Sequence, residues 1–208
     1  MPREHVTMEG VVQAVARLTA ARTHPLPAVV SVSGPVGSGK TTLARLLSAC
    51  VLSTDDYLPD YDLVPDLERD EPRHADFDLL VRNIATLRSG AAASIPTWSF
   101  QTHRREGFRV LSPGPVIVIE GIHALHDPLV PILDVGIIVE SRRDLRWSRW
   151  EYLESSGQRG WGVEKARAFF DCVAEPTFAR YAPVYRSRAH LVVTNDAPLP
   201  GFPSTLPP

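Results

Sequence analysis

Cysteine is scarce: Cys50 and Cys172 are the only two in 208 residues, far apart and without metal-ligand spacing. A disulfide framework and a thiolate metal site are thereby excluded, and a reduced compartment with packing roles is expected for both thiols. No apolar run approaches the roughly 18 residues needed to span a bilayer. The opening Met-Pro-Arg-Glu-His also lacks the basic-then-apolar order of a secretory signal, so a soluble, cytoplasmic protein without a membrane partner is expected. Charge of one sign is lacking too. A net charge of −2 and a pI near 6.4 give no general pull toward nucleic acid, and no nucleic-acid partner is expected. Internal repeats are absent. So is an N-K-x-D guanine-reading motif, the nearest string being Thr194-Asn195-Asp196-Ala197.

What is present centres on Gly34-Pro35-Val36-Gly37-Ser38-Gly39-Lys40-Thr41-Thr42, which follows the apolar stretch Ala28 to Val32. Gly34, Gly39, Lys40 and Thr41 fit G-x-x-x-x-G-K-[ST], a pattern whose glycines let backbone N–H groups turn inward around phosphate oxygens. Those amides and the positive end of the helix starting near Thr41 supply fixed partial charge. Lys40 adds a full charge near the outer phosphates, and Thr41 offers a hydroxyl to magnesium. A nucleoside triphosphate is the ligand that needs this set.

Periodicity predicts a helix over Met8 to Ala21 with Val11, Val12, Val15 and Leu18 inward, broken over Thr23 to Pro27. A strand from Val29 to Ser33 leads into the phosphate loop, and Leu43, Leu46 and Leu47 form the buried stripe of the next helix. A short strand over Val51 to Thr54 ends at Asp55, Asp56 and Tyr57. Leu58 to Pro72 reads as an ordered loop over the site, and Asp76 to Arg88 as a helix with Gly90 at its C-terminal cap. Ile95 to Val110 reads as a hairpin turning at Glu106-Gly107. Val116 to Ile119 and Ile137 to Val139 are buried strands, Ser141 and Asp144 a capping-box pattern for a helix to about Glu154, and Ser155 to Gly162 a mobile glycine-rich loop. Val163 to Glu175 is helical until Pro176 interrupts it, Leu191 to Thr194 is a last strand, and the Pro-rich tail from Pro198 is disordered. Alternating strands and helices predict an α/β fold, a parallel sheet flanked by helices with its ligands at the strand carboxyl ends. Gly34, Asp55 and Glu120 each follow such a strand, so one cleft can hold all three.

There, Asp55 or Asp56 could accept a hydroxyl proton or hold magnesium, and Glu120 could bind the ion directly or through water; Asp56 could equally cap a helix. Arg146 and Arg149 share a helix face and Arg159 follows in the glycine-rich loop, where arginines could neutralise a moving phosphoryl group or form a solvated basic face. Trp98, Phe100 and His103 could stack on a planar ligand or pack the hairpin.

From Val29 to about Thr194 these pieces resemble, in order, the uridine kinase group of the phosphoribulokinase/uridine kinase P-loop kinases. Leu52-Ser53-Thr54-Asp55-Asp56-Tyr57 is similar to the segment carrying that group's catalytic aspartate. Asp70-Glu71-Pro72 with Asp76-Phe77-Asp78-Leu79-Leu80 resembles D-x-P … D-[WF]-[DE]-L-L, and Ile119-Glu120-Gly121-Ile122 with Ala124-Leu125 resembles E-G-I-x-A-L. The resemblance implies a P-loop kinase domain over 1–197, comprising an N-terminal helix and linker (1–27), a hairpin insertion (95–111) and a mobile arginine-bearing lid (141–162), with a tail over 198–208. It implies ATP and Mg2+ as cofactors and a small-molecule acceptor, with the oligomeric state left open. It makes Asp55 catalytic, Asp70 a sugar contact, Glu120 a magnesium-site acid, and Arg146, Arg149 and Arg159 lid arginines.

The departures concern the acceptor. Nucleoside-specific members carry P-x-Y-D-F-x-x-H, whereas this chain has Pro96-Thr97-Trp98-Ser99-Phe100-Gln101-Thr102-His103; their lid R-G-R is Arg159-Gly160-Trp161 here. Trp161 thus stands where the resemblance places a base-contacting arginine. The sequence is read as an ATP- and magnesium-dependent kinase of a nucleoside or nucleoside-like sugar. The rivals are a kinase of pantothenate, a sugar phosphate or a glycerate-like alcohol, and a nucleotide-dependent switch or accessory ATPase.

Overall fold

The computed structural model describes residues 4–22 and 25–197. The tail from Pro198, and part of the break expected at Thr23 to Pro27, lie outside them. Six parallel strands form the central sheet, in the spatial order β1 (Glu4–Val6), β8 (Leu191–Thr194), β7 (Val135–Glu140), β2 (Ala28–Ser33), β6 (Val116–Glu120) and β3 (Cys50–Ser53). The valine- and isoleucine-rich strands β2, β6 and β7 suit positions covered on both faces. Side-chain alternation along β2 sorts the two layers. Val30 and Val32 pack with α1 (Val11–Ala20) and α2 (Lys40–Leu47), whereas Val29 packs with α3 (Phe77–Arg88). On the α3 side, the buried Ser31 and Ser33 hydroxyls donate to the Ala124 and Ile122 carbonyls at 2.5 and 2.9 Å, fastening the segment after β6 to β2.

Helix α3 begins where Asp76 Oδ1 accepts the Leu79 N–H at 2.9 Å and ends in a Schellman arrangement. There the Gly90 N–H meets Leu87 O and the Ala91 N–H meets Thr86 O, with Gly90 at φ +86°. Its Leu80, Ile84 and Leu87 lie under the two-stranded sheet of β4 (Ala93–Ser99) and β5 (Arg104–Leu111), which projects beside the strand ends. Helices α4 (Arg143–Ser155), α5 (Val163–Phe169) and α6 (Glu175–Arg188) complete the chain, a π-helical turn over Phe170–Ala174 joining the last two.

Several local expectations are corrected. Strand β1 was not anticipated, because three residues on a sheet edge carry no period. Val12 and Leu46 are 45% and 58% exposed, since the inward stripes run through Val11, Ala14 and Val15 and through Leu43 and Ala44. The hairpin turns over Phe100 to His103, not at Glu106-Gly107. Ser99 Oγ accepts the Gln101 and Thr102 N–H groups, Ser99 O accepts the His103 N–H at 2.7 Å, and His103 takes φ +56°. Serine turn chemistry outweighs the glycine signal, and Gly107 sits opposite Thr97 at a strand irregularity.

The Ser141/Asp144 capping box does not form: Arg142 holds the N-cap position of α4, Ser141 Oγ accepts from Arg149, and Asp144 pairs with Arg142 at 2.7 Å. Nor does Pro176 interrupt the helix. It occupies the first turn of α6, where no N–H is required, and α6 continues to Arg188.

Candidate active site

Pairing register brings the expected strand-end residues together. Glu120 lies opposite Ser53 of β3 and Val32 of β2, so it stands two residues from Asp55 along one neighbour and two from Gly34 along the other. The phosphate loop then folds back over the sheet end. Gly39, at φ +95°, is the N-cap of α2, and Gly37, at φ +74°, passes so close to α4 that a Cβ would strike the Arg146 carbonyl.

Four consecutive carbonyls of this loop are each taken by a side-chain donor. Lys40 Nζ donates to Pro35 O at 2.9 Å, Arg146 to Val36 O at 3.4 Å, Arg149 to Gly37 O at 2.8 Å and Asn195 Nδ2 to Ser38 O at 2.9 Å. These donors tie down the loop's carbonyls, and apart from the Ser38 N–H, which turns back to Pro35 O at 3.2 Å, its N–H groups are left for an anion. Asn195, just past β8, was not singled out in the sequence; its place after a strand end was the available signal. Arg146 braces the loop from behind, where it is ion-paired with Glu175 and lines a separate pocket of about 430 Å³, whereas Arg149 holds the loop from a position lining the main cleft.

A cleft of about 980 Å³ joins Gly37, Gly39, Lys40, Thr41 and Thr42 to Asp55, Asp70 and Glu120 and to the aromatic wall at Trp98, Phe100, His103 and Trp161. Burial pushes Lys40 down, against the carboxylates of Glu120 and Asp55. Burial likewise pushes Asp55 up, against Lys40 and Arg159. Glu120 rises to about 7 through burial and then the Asp55 charge, with hydrogen bonds from Ser53 and Thr41 opposing. Asp70 rises to about 7 through burial and the same Asp55 charge. Three carboxyls therefore compete for negative charge around one lysine. Asp56 differs: its carboxylate accepts the Trp98 N–H at 3.2 Å and faces Arg109 at 3.8 Å, tying the segment after β3 to the hairpin.

Among the described residues no three or more His, Cys, Asp or Glu side chains converge tightly enough to hold a metal by themselves. The Thr41 hydroxyl beside Glu120, with Asp55 next to it, is a sparse all-oxygen donor set. It fits magnesium, which takes one or two protein ligands and completes its octahedron with phosphate and water.

The acceptor end is built by the 3-10 turns after β3, the hairpin turn and the α4–α5 loop. Tyr61, which the sequence reading passed over within a Pro- and acid-rich loop, is 8% exposed and reaches the Asp70 carboxyl at 3.4 Å. Its ring meets Trp98, His103, Trp161 and Phe169. Arg159 lies over Phe100 at 4.1 Å and over Trp150 at 5.1 Å, facing the charges of Asp55 and Asp70. His103 is held near 4 by burial and by the nearby cations of Lys165, Arg159 and Arg69, so its ring is neutral. Asp70 is pinned from behind, where His123 Nε2 meets its carbonyl oxygen at 2.6 Å and Tyr185 OH meets His123 Nδ1 at 2.7 Å.

A family model described as the phosphoribulokinase/uridine kinase family matches residues 64–197. The uridine kinase of Staphylococcus haemolyticus is 29% identical over 179 residues, 79% of this chain and 86% of the relative. The inorganic pyrophosphatase TTM2 of Arabidopsis thaliana is 36% identical over 118 residues, 53% of this chain, and the match spans only 17% of that protein's length. Among solved structures, a protein of Silicibacter sp. TM1040 assigned as a fructose transport system kinase superposes with TM-score 0.71 at 22% identity, covering 90% of this chain and 98% of its own. D-glycerate 3-kinase from Cryptococcus neoformans gives TM-score 0.53 at 18% identity, over 79% and 83% of the two chains. At those identities the superpositions speak for a shared fold.

Proposed function

This chain belongs to the phosphoribulokinase/uridine kinase family and is a kinase; on that premise we propose that it transfers the γ-phosphoryl group of ATP to a hydroxyl of a small-molecule acceptor. The observation that carries the reading is one cleft in which a phosphate loop, its carbonyls held by side-chain donors, faces the half-buried Asp55 and the buried Asp70 carboxyls beside an aromatic wall.

Within it, Lys40 exchanges its bond to Pro35 O for an outer phosphate oxygen, which its flexible stem permits. Thr41 and Glu120, with Asp55, would hold magnesium, which when bound supplies positive charge between the phosphates. Asp55 orients the acceptor hydroxyl and receives its proton, and Asp70 holds a second hydroxyl. Arg159 brings positive charge to the acceptor side. Most of the rate comes from alignment and fixed electrostatics, because phosphoryl transfer asks little covalent help of the protein.

Isothermal titration against ATP and GTP with magnesium, followed by coupled detection of ADP release across nucleosides, monosaccharides and hydroxy acids, tests the reading. Nucleotide binding with acceptor-dependent ADP release is expected. Binding without dependence on any acceptor would favour a nucleotide switch, and no nucleotide binding would refute the phosphate-loop assignment.

A further inference from the structure

The lid turn that carries Trp161 is fixed from two sides. Gly160 donates its N–H to Phe100 O at 3.1 Å, and Gln101 Nε2 reaches Gly157 O at 2.5 Å, so the turn is docked on the hairpin. From the other side the Glu154 carboxylate, buried at 6% exposure, accepts the N–H groups of Trp161 and Gly162 at 3.1 and 2.9 Å. Trp161 is therefore held where its ring lies on His103, with centroids 4.3 Å apart and planes 8° from parallel. Phe169 packs against the same indole at 4.6 Å and the Lys165 ammonium sits 5.2 Å from it. Elsewhere on the wall, Arg159 covers Phe100, whose ring also meets Trp98 edge-on, and Tyr61 and Trp98 are each 92% buried by their neighbours, being 8% exposed.

The flat surfaces beside Asp70 are thus spent on one another. A nucleobase could stack there only by separating ring pairs, at a cost of about 2- to 12-fold in affinity for each. Beside that wall the polar groups lining the cleft include the Asp55 and Asp70 carboxyls, the Arg159 guanidinium and the neutral His103 ring, groups suited to aliphatic hydroxyls that both donate and accept. Resting on the kinase reading above, we infer that Trp161 sets the acceptor class: stacked on His103, it closes the aromatic wall to a nucleobase, and the acceptor is a small non-aromatic polyhydroxylated alcohol.

D-ribose, ribitol and uridine test this, because uridine adds a base to the same hydroxyl pattern. Each is titrated calorimetrically, with magnesium and ADP present, into the unmodified protein, Trp161→Ala and Trp161→Phe, and each is assayed for acceptor-dependent ADP release from ATP. The unmodified protein is expected to bind D-ribose or ribitol at least about tenfold more tightly than uridine, and Trp161→Ala to raise uridine affinity by about tenfold or more. Trp161→Phe keeps a ring on His103 and should not gain. Uridine bound by the unmodified protein as tightly as the polyols, or unimproved by Trp161→Ala, overturns the role of Trp161; failure to bind either polyol overturns the acceptor class. Should Trp161→Ala not fold, judged by its thermal midpoint, the ranking of uridine against the polyols on the unmodified protein still decides. Absence of ADP release with tight polyol binding would count against phosphoryl transfer alone.

Discussion

His123 should make the protein lose stability as the pH falls, by an amount its surroundings allow to be worked out. The ring is 4% exposed, and its Nε2 faces the Asp70 carbonyl, which can only accept, so Nε2 carries the hydrogen and neutral Nδ1 accepts from Tyr185 OH. Tyr185 oxygen in turn meets His126 Nδ1 at 3.2 Å. A second proton on His123 would turn Nδ1 into a donor facing the fully buried Tyr185 oxygen, so the hydroxyl would lose the acceptor it now uses. Burial accordingly leads the forces that lower His123 to about 4, with His126 and Lys40 adding to it and the Asp70 carbonyl and Glu71 opposing. The group is depressed from an ordinary 6.5, so between those values the unfolded chain binds a proton and the native one does not. Its contribution is full above about pH 6.5 and is lost on descent to about pH 4, in all about 3 kcal/mol. Asp70 and Glu120, both raised to about 7, work in the opposite sense, because the native state takes up their protons first. The profile of the unmodified protein alone therefore does not isolate His123. Urea unfolding followed by tryptophan fluorescence, on the unmodified protein and His123→Gln at constant ionic strength, does. The variant should be less stable near pH 7, and the gap should close by about 3 kcal/mol by about pH 4. A gap that stays constant over that range would show that His123 titrates in the native state as it does in the unfolded chain, and would refute the reasoning.

Lys40→Ala should lower turnover at least about a hundredfold with little change in thermal midpoint, since the ammonium's partner is one loop carbonyl; retained turnover would remove it from phosphate binding. Asp55→Asn should lower kcat by about 10²- to 10⁴-fold while ATP affinity, read by titration, changes little. Asp56→Asn should act mainly on thermal stability, through the Trp98 and Arg109 contacts, and a reversal of these two outcomes would move the proton acceptor to Asp56. Glu154→Ala leaves the N–H groups of Trp150 Nε1, Trp161 and Gly162 without their acceptor and should cost about 3 kcal/mol in urea unfolding, with Glu154→Gln milder.

Much of the sheet was legible because its signals are local: a β-branched run, then a glycine or an acid at the strand end. The phosphate loop was legible for the same reason, its pattern lying within nine consecutive residues, Gly34 to Thr42. Partners distant in the chain left no such trace. That Asn195 would close on Ser38 depends on β8 lying next to β7, and β7 next to β2, an adjacency no spacing encodes. The hairpin turn was misplaced because glycine is a strong local mark and a serine hydroxyl a weak one. The alternation of Trp98, Phe100 and His103 was visible, but that their faces are already occupied depends on Trp161 and Arg159 arriving from beyond α4.

The three arginines show how occupancy decides between side chains the sequence treats alike. Arg146 is 6% exposed and spends its guanidinium on Glu175, Ser141 O and Val36 O. Moving it over a nucleotide would abandon a buried ion pair, which costs about 3–5 kcal/mol when one partner is left behind. Arg149 is similarly committed, to Gly37 O, Ser141 Oγ, Asn195 O and Ala197 O. The Arg159 guanidinium makes no hydrogen bond or ion pair among the described residues and rests on the faces of Phe100 and Trp150, contacts worth about 0.5–2 kcal/mol. It can turn toward a transferring phosphoryl group at the least cost. On the kinase reading, Arg159→Ala is therefore expected to lower kcat with little loss of thermal stability, and Arg146→Ala and Arg149→Ala to lower the thermal midpoint; the reverse pattern would return the lid charge to Arg146 and Arg149.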